Sequence, residues 1–159
     1  MSMSYVSHPF APVFDEQSRL PVLGTMPSVQ SRDAGFYYAH PRNRFWPVLA
    51  ACFGQPLPES IAEKTRMLLA NGIALWDILA SCEIIGSDDS SIRSPVHNDI
   101  TALVQGKSIA KILCNGKKAY NLCRQLDLPL PLLCMPSTSP ANASWQLERL
   151  TAAWRSELT

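Results

Sequence analysis

The chain has 159 residues, 47% of them hydrophobic and 17% charged, with a formal net charge of +1. That length and balance fit one globular domain with a real core and exclude a disordered chain. No apolar run approaches the ~20 residues of a membrane-spanning helix, and so small a net charge means that a nucleic-acid partner would be met by a local basic patch.

Residues 1–19 contain Pro and Ser and are expected to form an extended arm ahead of a single domain over 20–159. They lack a basic-then-apolar export pattern, so the expected compartment is the cytoplasm, in a bacterium the cytosol or nucleoid. Residues 20–26 read as a first strand. The segment 24–46, GTMPSVQSRDAGFYYAHPRNRFW, is too polar and too aromatic for a simple connection. Binding and catalytic residues concentrate on such loops. A helix is expected from near Asn43 to Phe53, with Gly54 as its stop and Pro47 tolerated in the first turn. A second fits 59–70, opened by Pro58 and closed by Asn71-Gly72. Ile73 to Leu79 reads as a second strand, 82–98 as a polar loop, and 98–105 as a short helix. Ile109 to Cys114 is a third strand. Gly116 to Leu126 is helical, with Ala119, Leu122, Cys123 and Leu126 at 3/4 spacing. Leu130 to Met135 is a fourth strand, and Leu147, Leu150, Trp154 and Leu158 mark a terminal helix.

Strands that alternate with helices and read as continuous apolar runs imply a buried parallel sheet. The expected fold is a three-layer α/β/α sandwich with a central, mainly parallel four-stranded sheet. Ligands bind at the C-terminal strand ends of such sheets. Four segments arrive there: the turn Gly24 to Ser28, Asp77 to Cys82, Asn115-Gly116, and the loop Pro136 to Asn142.

Five cysteines, an odd number without CxxC or Cys/His metal spacing, read as small buried hydrophobes in a reducing compartment. No metal site and no cofactor is expected. Asn43 precedes a helix start and suits an N-cap. Asp77 lies in an apolar strand run, where a carboxylate is expensive unless partnered. Asn115-Gly116 suits a turn. Arg42, Arg44, Lys117 and Lys118 flank the strand ends and are candidate phosphate contacts. His40, ahead of a proline, caps a turn or meets a phosphate.

The run Gly24-Thr25-Met26-Pro27-Ser28, followed by Tyr38-Ala39-His40-Pro41-Arg42-Asn43-Arg44-Phe45-Trp46, resembles the uracil-DNA glycosylase superfamily. Its mismatch-specific branch carries a G-x-N-P-G turn and then F-A-H-P-x-N-R-F-W. Gly116-Lys117-Lys118-Ala119-Tyr120 looks like that branch's G-K-x-A-Y, and Pro136 to Asn142 takes the place of the second glycosylase motif. The likeness spans most of the chain from Leu20 onward. Two departures set this chain apart. The uracil-cleaving branches hold Asn or Asp in the first turn to position the attacking water, where this chain has Met26. The second motif lacks its usual His or Asn start and its intercalating leucine. An apolar residue in the turn, Y-Y-x-x-P-R-N and S-T-S-P-A-N together look like family 6, the hypoxanthine-DNA (deoxyinosine) glycosylases.

The resemblance implies site roles. Asn43 would orient a water against C1′ of a flipped nucleotide, alongside its capping role. Tyr38 would stack on the extruded base. Asp77 falls where other branches read the base edge, and a carboxylate acceptor suits the N1–H of hypoxanthine. Gly24, Thr25, Met26 and Pro27 would form a turn whose backbone N–H groups meet the base carbonyl, with Asn115 as a further contact. Ser28, His40, Arg42, Lys117, Ser137, Ser139 and Asn142 would hold DNA. The expectation is a monomeric, monofunctional enzyme acting on DNA with a deaminated base, without metal or cofactor. The rival readings are a glycosylase for uracil, xanthine or another deaminated base, a catalytically silent module that binds damaged DNA, and an enzyme acting on free nucleosides.

Overall fold

A computed structural model describes residues 2–158. Its centre is a four-stranded parallel sheet in the order β3-β2-β6-β7. The strands are β2 (Leu20–Gly24), β3 (Ile73–Asp77), β6 (Ile112–Asn115) and β7 (Leu132–Met135). Their side chains alternate between two cores, as the pleat requires. Leu20, Val22, Ile73, Leu75 and Leu113 face one layer. That layer is built by α2 (Phe45–Phe53), α3 (Ile61–Ala70) and α6 (Leu147–Leu158). Leu23, Ala74, Ile112 and Cys114 face the other, where α4 (Ile100–Val104) and α5 (Lys117–Arg124) pack. The expected α/β/α sandwich with four mainly parallel strands is therefore present.

The segment read as a polar loop over 82–98 is instead a β-hairpin. Strand β4 (Leu79–Ile85) and β5 (Asp88–His97) pair antiparallel across Gly86-Ser87. A two-residue Gly-Ser connection between strands is a hairpin turn, and Gly86 supplies the positive φ of 57°. The pattern is hard to read because register shifts interrupt the pairing, and β5 buries only Ile92. Ser94 and Pro95 sit on β5, an edge strand, where proline is tolerated. The hairpin is completed by β1 (Ser4–Ser7), which pairs with β4. The arm before Leu20 is thus tied into the fold, and Val13 adds an isolated bridge to Leu75.

Several boundaries move for local reasons. The first strand stops at Gly24 and the second at Asp77, so Asp77 ends its strand instead of lying inside it. The chain turns at Ile78 into β4, and the Ile78 N–H donates to the Gly24 carbonyl at 2.8 Å. Helix α3 starts at Ile61 because Ser60 and Glu63 form a reciprocal capping box, leaving Pro58 outside. A helix absent from the sequence reading, α1 (Val29–Ala34), opens on Ser28, whose hydroxyl accepts the Ser31 N–H. Of the cysteines, Cys82, Cys114 and Cys123 are buried, Cys52 is half-buried and Cys134 is exposed.

Candidate active site

The chain leaves β2 toward β3 on one side and returns to β6 on the other. This reversal opens a crevice at the C-terminal strand ends. A cavity of about 140 Å³ lies there, lined by Gly24 to Ser28, Tyr38, Asn43, Asp77, Asn115 and Ser137 to Pro140, with Asp89 from the hairpin. That is roughly ten times the space one water needs. All four predicted segments reach the cavity. A wider groove shares Asp89, Asn115, Ser137 and Ser139 with it and extends to Lys117, Lys118 and Asn142.

The register of the sheet sets the floor. Gly24 lies beside Asp77 on neighbouring strands. A Cβ at Gly24 would fall 2.4 Å from Asp77 Oδ1 and 2.8 Å from the Tyr38 hydroxyl, so only glycine lets these two polar groups converge. Tyr38 holds φ at 54°, an uncommon conformation for a bulky residue and a sign of strain held by its surroundings. Its ring stacks on Phe45 with centroids 4.3 Å apart. Its hydroxyl is buried without a hydrogen-bond partner. Burial, with Asp77 next in effect, raises its pKa far above the ordinary tyrosine value. The hydroxyl therefore stays protonated and is a donor without an acceptor. Tyr37, by contrast, is structural: it is buried, and its hydroxyl donates to the Ala11 carbonyl at 2.9 Å.

Asp77 meets a partner the sequence reading missed. His8, from the arm, places Nε2 2.8 Å from Asp77 Oδ2, and both side chains are only 5% exposed. The other ring nitrogen, Nδ1, lies 2.8 Å from the Phe10 carbonyl. Nothing in the sequence around His8 marks it, because the pairing spans 69 positions.

Asn43 lies two residues ahead of Phe45, and its Oδ1 accepts the Phe45 N–H at 2.9 Å. The N-cap of α2 is Arg44, without a side-chain cap, so Asn43 stands one residue outside the expected capping position. It ties down the first helical N–H from there and borders the cavity. An amide oxygen has two lone pairs, so one acceptor site remains. His40 Nδ1 accepts the Arg42 N–H and lines the same cavity. Arg42 is exposed.

The loop after β7 is held from within. Arg44, read from sequence as a candidate phosphate contact, instead donates to the carbonyls of Ser139 at 2.8 Å, Asn142 at 3.1 Å, Thr138 and Trp145. Asn115 donates from Nδ2 to the Thr138 hydroxyl and accepts the Thr138 N–H. It therefore fixes the loop while facing the cavity. Ser137 and Ser139 accept backbone N–H groups two residues on, and Asn142 donates to the Ser137 carbonyl. Lys117 is exposed and Lys118 half-buried along the groove. Met26 is 9% exposed and packs in the core beneath the turn, where a thioether can neither donate nor activate water.

Asp89 is the other residue missed. Burial raises its pKa to about 6, and Asp77 adds to the rise; the Thr25 hydroxyl and Lys118 oppose it. It was hidden because the hairpin that carries it was read as loop. Two braces tie that hairpin to the first turn: Arg32 donates to the Pro27 and Gly86 carbonyls, and the Val29 N–H donates to the Ser87 hydroxyl. Among the described residues no cluster of His, Cys, Asp or Glu could hold a metal ion.

Comparison with known proteins places this geometry. A family model described as the uracil DNA glycosylase superfamily matches residues 11–158. The chain is 32% identical over 145 residues to a hypoxanthine DNA glycosylase of Methanosarcina acetivorans, covering 88% of this chain and 90% of that one. It is 34% identical over 113 residues to a hypoxanthine DNA glycosylase of Methanosarcina barkeri, covering 69% and 71%. A solution NMR structure of a Methanosarcina acetivorans protein, proposed to be a uracil DNA glycosylase, superposes with a TM-score of 0.83 at 28% identity. That superposition covers 99% of this chain and 97% of the other.

Proposed function

The chain belongs to the uracil DNA glycosylase superfamily, and from that membership we propose that it is a monofunctional DNA glycosylase releasing hypoxanthine from deoxyinosine in DNA. The observation that carries the reading is the convergence of Asn43, Tyr38 and Asp77 on one cavity at the strand ends. The relatives named hypoxanthine DNA glycosylases support the choice of base. Met26 supports it too, since the turn offers no polar side chain where the uracil-cleaving branches have one.

In this mechanism the nucleotide flips out of the duplex and its base enters the cavity. Asn43 accepts a hydrogen bond from a water through the free lone pair of Oδ1 and aims it at C1′. The C1′–N9 bond breaks through an oxocarbenium-like state, in which positioning and fixed dipoles supply most of the acceleration. The water oxygen bonds to C1′ while the purine takes the C1′–N9 electron pair and leaves protonated, and the proton released by the water passes to the carboxylate left when the acid has protonated the base. Asp89, held near neutrality, is the cavity group able to deliver a proton to the leaving base. The turn from Gly24 to Pro27 lines the cavity, and its backbone N–H groups, which Pro27 lacks, are proposed to meet the base. Tyr38 lines the cavity with its ring backed by the buried Phe45, and its hydroxyl lies beside Gly24. Ser28, His40, Ser137 and Ser139 line the cavity and Lys117 and Asn142 the adjoining groove; these, with the exposed Arg42 next to Asn43 in the chain, are the proposed DNA contacts. The proposed working unit is a monomer and its proposed place of action the cytoplasm.

The test is a 5′-labelled duplex with one deoxyinosine, run beside a deoxyuridine duplex and developed with alkali. The expected result is alkali-dependent breakage at inosine, reduced about 10²–10³-fold in Asn43→Ala. Breakage at uracil with inosine intact would assign another base. Binding of both duplexes without breakage would favour a silent damage-binding module.

A further inference from the structure

We propose that His8 is a positioning residue that fixes the Asp77 carboxyl as an acceptor toward the cavity, so that with the Tyr38 hydroxyl it selects bases carrying a ring N–H beside a carbonyl. This inference rests on the glycosylase reading above and deepens it.

The hydrogen bonds of His8 fix where the protons lie. The Phe10 carbonyl can only accept, so the 2.8 Å contact requires a hydrogen on His8 Nδ1. The Nε2···Oδ2 contact, also 2.8 Å, then holds one proton between two buried groups. If it rests on Nε2, Asp77 is a carboxylate. If it rests on Oδ2, it is donated back to Nε2. In both cases Oδ1 carries no hydrogen, and it is Oδ1 that lies beside Gly24 at the cavity floor. An unpaired buried carboxylic acid could turn either face to the cavity and so accept or donate. His8 removes that ambiguity.

The second half of the reader is the Tyr38 hydroxyl, the buried donor without a partner beside the same Gly24 position. An acceptor beside a donor complements the –NH–C(=O)– edge of hypoxanthine, whose N1–H donates and whose O6 accepts. Adenine reverses both positions, with an acceptor at N1 and a donor at the exocyclic amine. It would set acceptor against acceptor and donor against donor. A site built to bond a group rejects the analogue lacking it far more strongly than an apolar pocket does. His8 lies ahead of residues 11–158, the span matched by the family model. The reader is thus completed by a strand-bearing arm whose pairing with β4 fixes the position of His8. His8 itself packs against Phe10 and Tyr37. The other titratable groups facing Asp77 are Asp89 from the hairpin and Tyr37 and Tyr38 from the loop before α2.

The experiment measures single-turnover kcat/KM on duplexes carrying deoxyinosine or 2′-deoxynebularine, the purine with N1 as an acceptor and no N1–H. Wild type, His8→Phe and His8→Gln are compared across pH 5.5–8.5, each variant against wild type at the same pH, so that Asp89 titration and leaving-group differences cancel. The expected result is a loss of at least about tenfold on deoxyinosine in His8→Phe, with a smaller loss or none on deoxynebularine. His8→Gln, whose amide N–H can still meet Oδ2, should restore most of the discrimination. Equal losses on both purines, or unchanged discrimination in His8→Phe, would overturn the proposal while leaving deoxyinosine cleavage by the wild type intact. Absence of wild-type cleavage would overturn the glycosylase reading instead. If the variants do not fold, a ¹⁵N spectrum of the wild-type histidine rings decides: a protonated Nδ1 on His8 supports the proposal, and a bare Nδ1 ends it.

Discussion

Asp89 is held at a cost that the fold alone does not require. Its carboxyl sits in the cavity wall with Asp77 as a neighbour, and burial raises its pKa to about 6 from an ordinary value near 4. The folded state therefore binds its proton more tightly than the unfolded state. Where the folded pKa of an acid is raised, stability is highest below the unfolded value and falls as pH rises toward the folded one. Asp89→Asn should change little at pH 4 and stabilise the protein by about 1–2 kcal/mol at pH 7–8, read as a Tm difference that opens between pH 4 and 6. Deoxyinosine cleavage by the same variant should fall, the usual exchange between stability and function at a strained site. A variant with no gain in Tm at pH 8 would show that Asp89 is better solvated than its surroundings imply. At this scale the sequence was legible where chemistry was local. Asn43 ahead of a helix, Gly24 in a turn and Asp77 in an apolar run each carried their meaning in their neighbours. His8 and Asp89 did not, because their roles come from pairings across the fold that no local pattern encodes.

The elements show the same division. The parallel strands were legible because β2, β3 and β6 are buried on both faces and read as apolar runs, and the edge strand β7 keeps the same apolar run although Cys134 is exposed. The hairpin β4–β5 was not, since its register shifts and exposed edge break the two-residue alternation. The loop over 136–142 was correctly placed at the site, but its support was misassigned. Arg44 is no free cation for phosphate: four carbonyls of Thr138, Ser139, Asn142 and Trp145 accept from its guanidinium. These acceptors lie in irregular backbone, where no helix or strand would satisfy them. Arg44→Ala should cost about 2–3 kcal/mol of stability in a denaturant titration. It should also raise KM for DNA more than it lowers kcat, because the loop at the cavity mouth loses its brace. Arg44→Lys should fail to rescue, since one ammonium cannot reach acceptors spread around a planar fork. Full rescue by Lys would return Arg44 to the role of a simple surface charge.

For the whole molecule, the near-neutral balance constrains how DNA is held. A chain with a net charge of +1 has no global field to draw a polyanion, so electrostatic affinity must come from the few cations at the strand ends. Lys117 and Lys118 line the groove, and Arg42 stands exposed, its backbone N–H bonded to the cavity-lining His40. With Arg44 committed to the loop, only about three phosphate contacts are available from this set. Counterion release then gives a slope of log Kobs against log salt of about −3, from roughly −0.9 per contact. Binding should be measured by anisotropy on a labelled duplex containing a non-cleavable deoxyinosine analogue, from 50 to 300 mM salt. Lys117→Ala should flatten the slope by about one and weaken lesion-bearing and undamaged duplexes alike, because a phosphate contact carries no base information. A slope steeper than about −5 would require cations outside the groove and a larger footprint than the strand ends provide. An affinity nearly independent of salt would point to the free base or nucleoside as the true ligand, with the groove left unused.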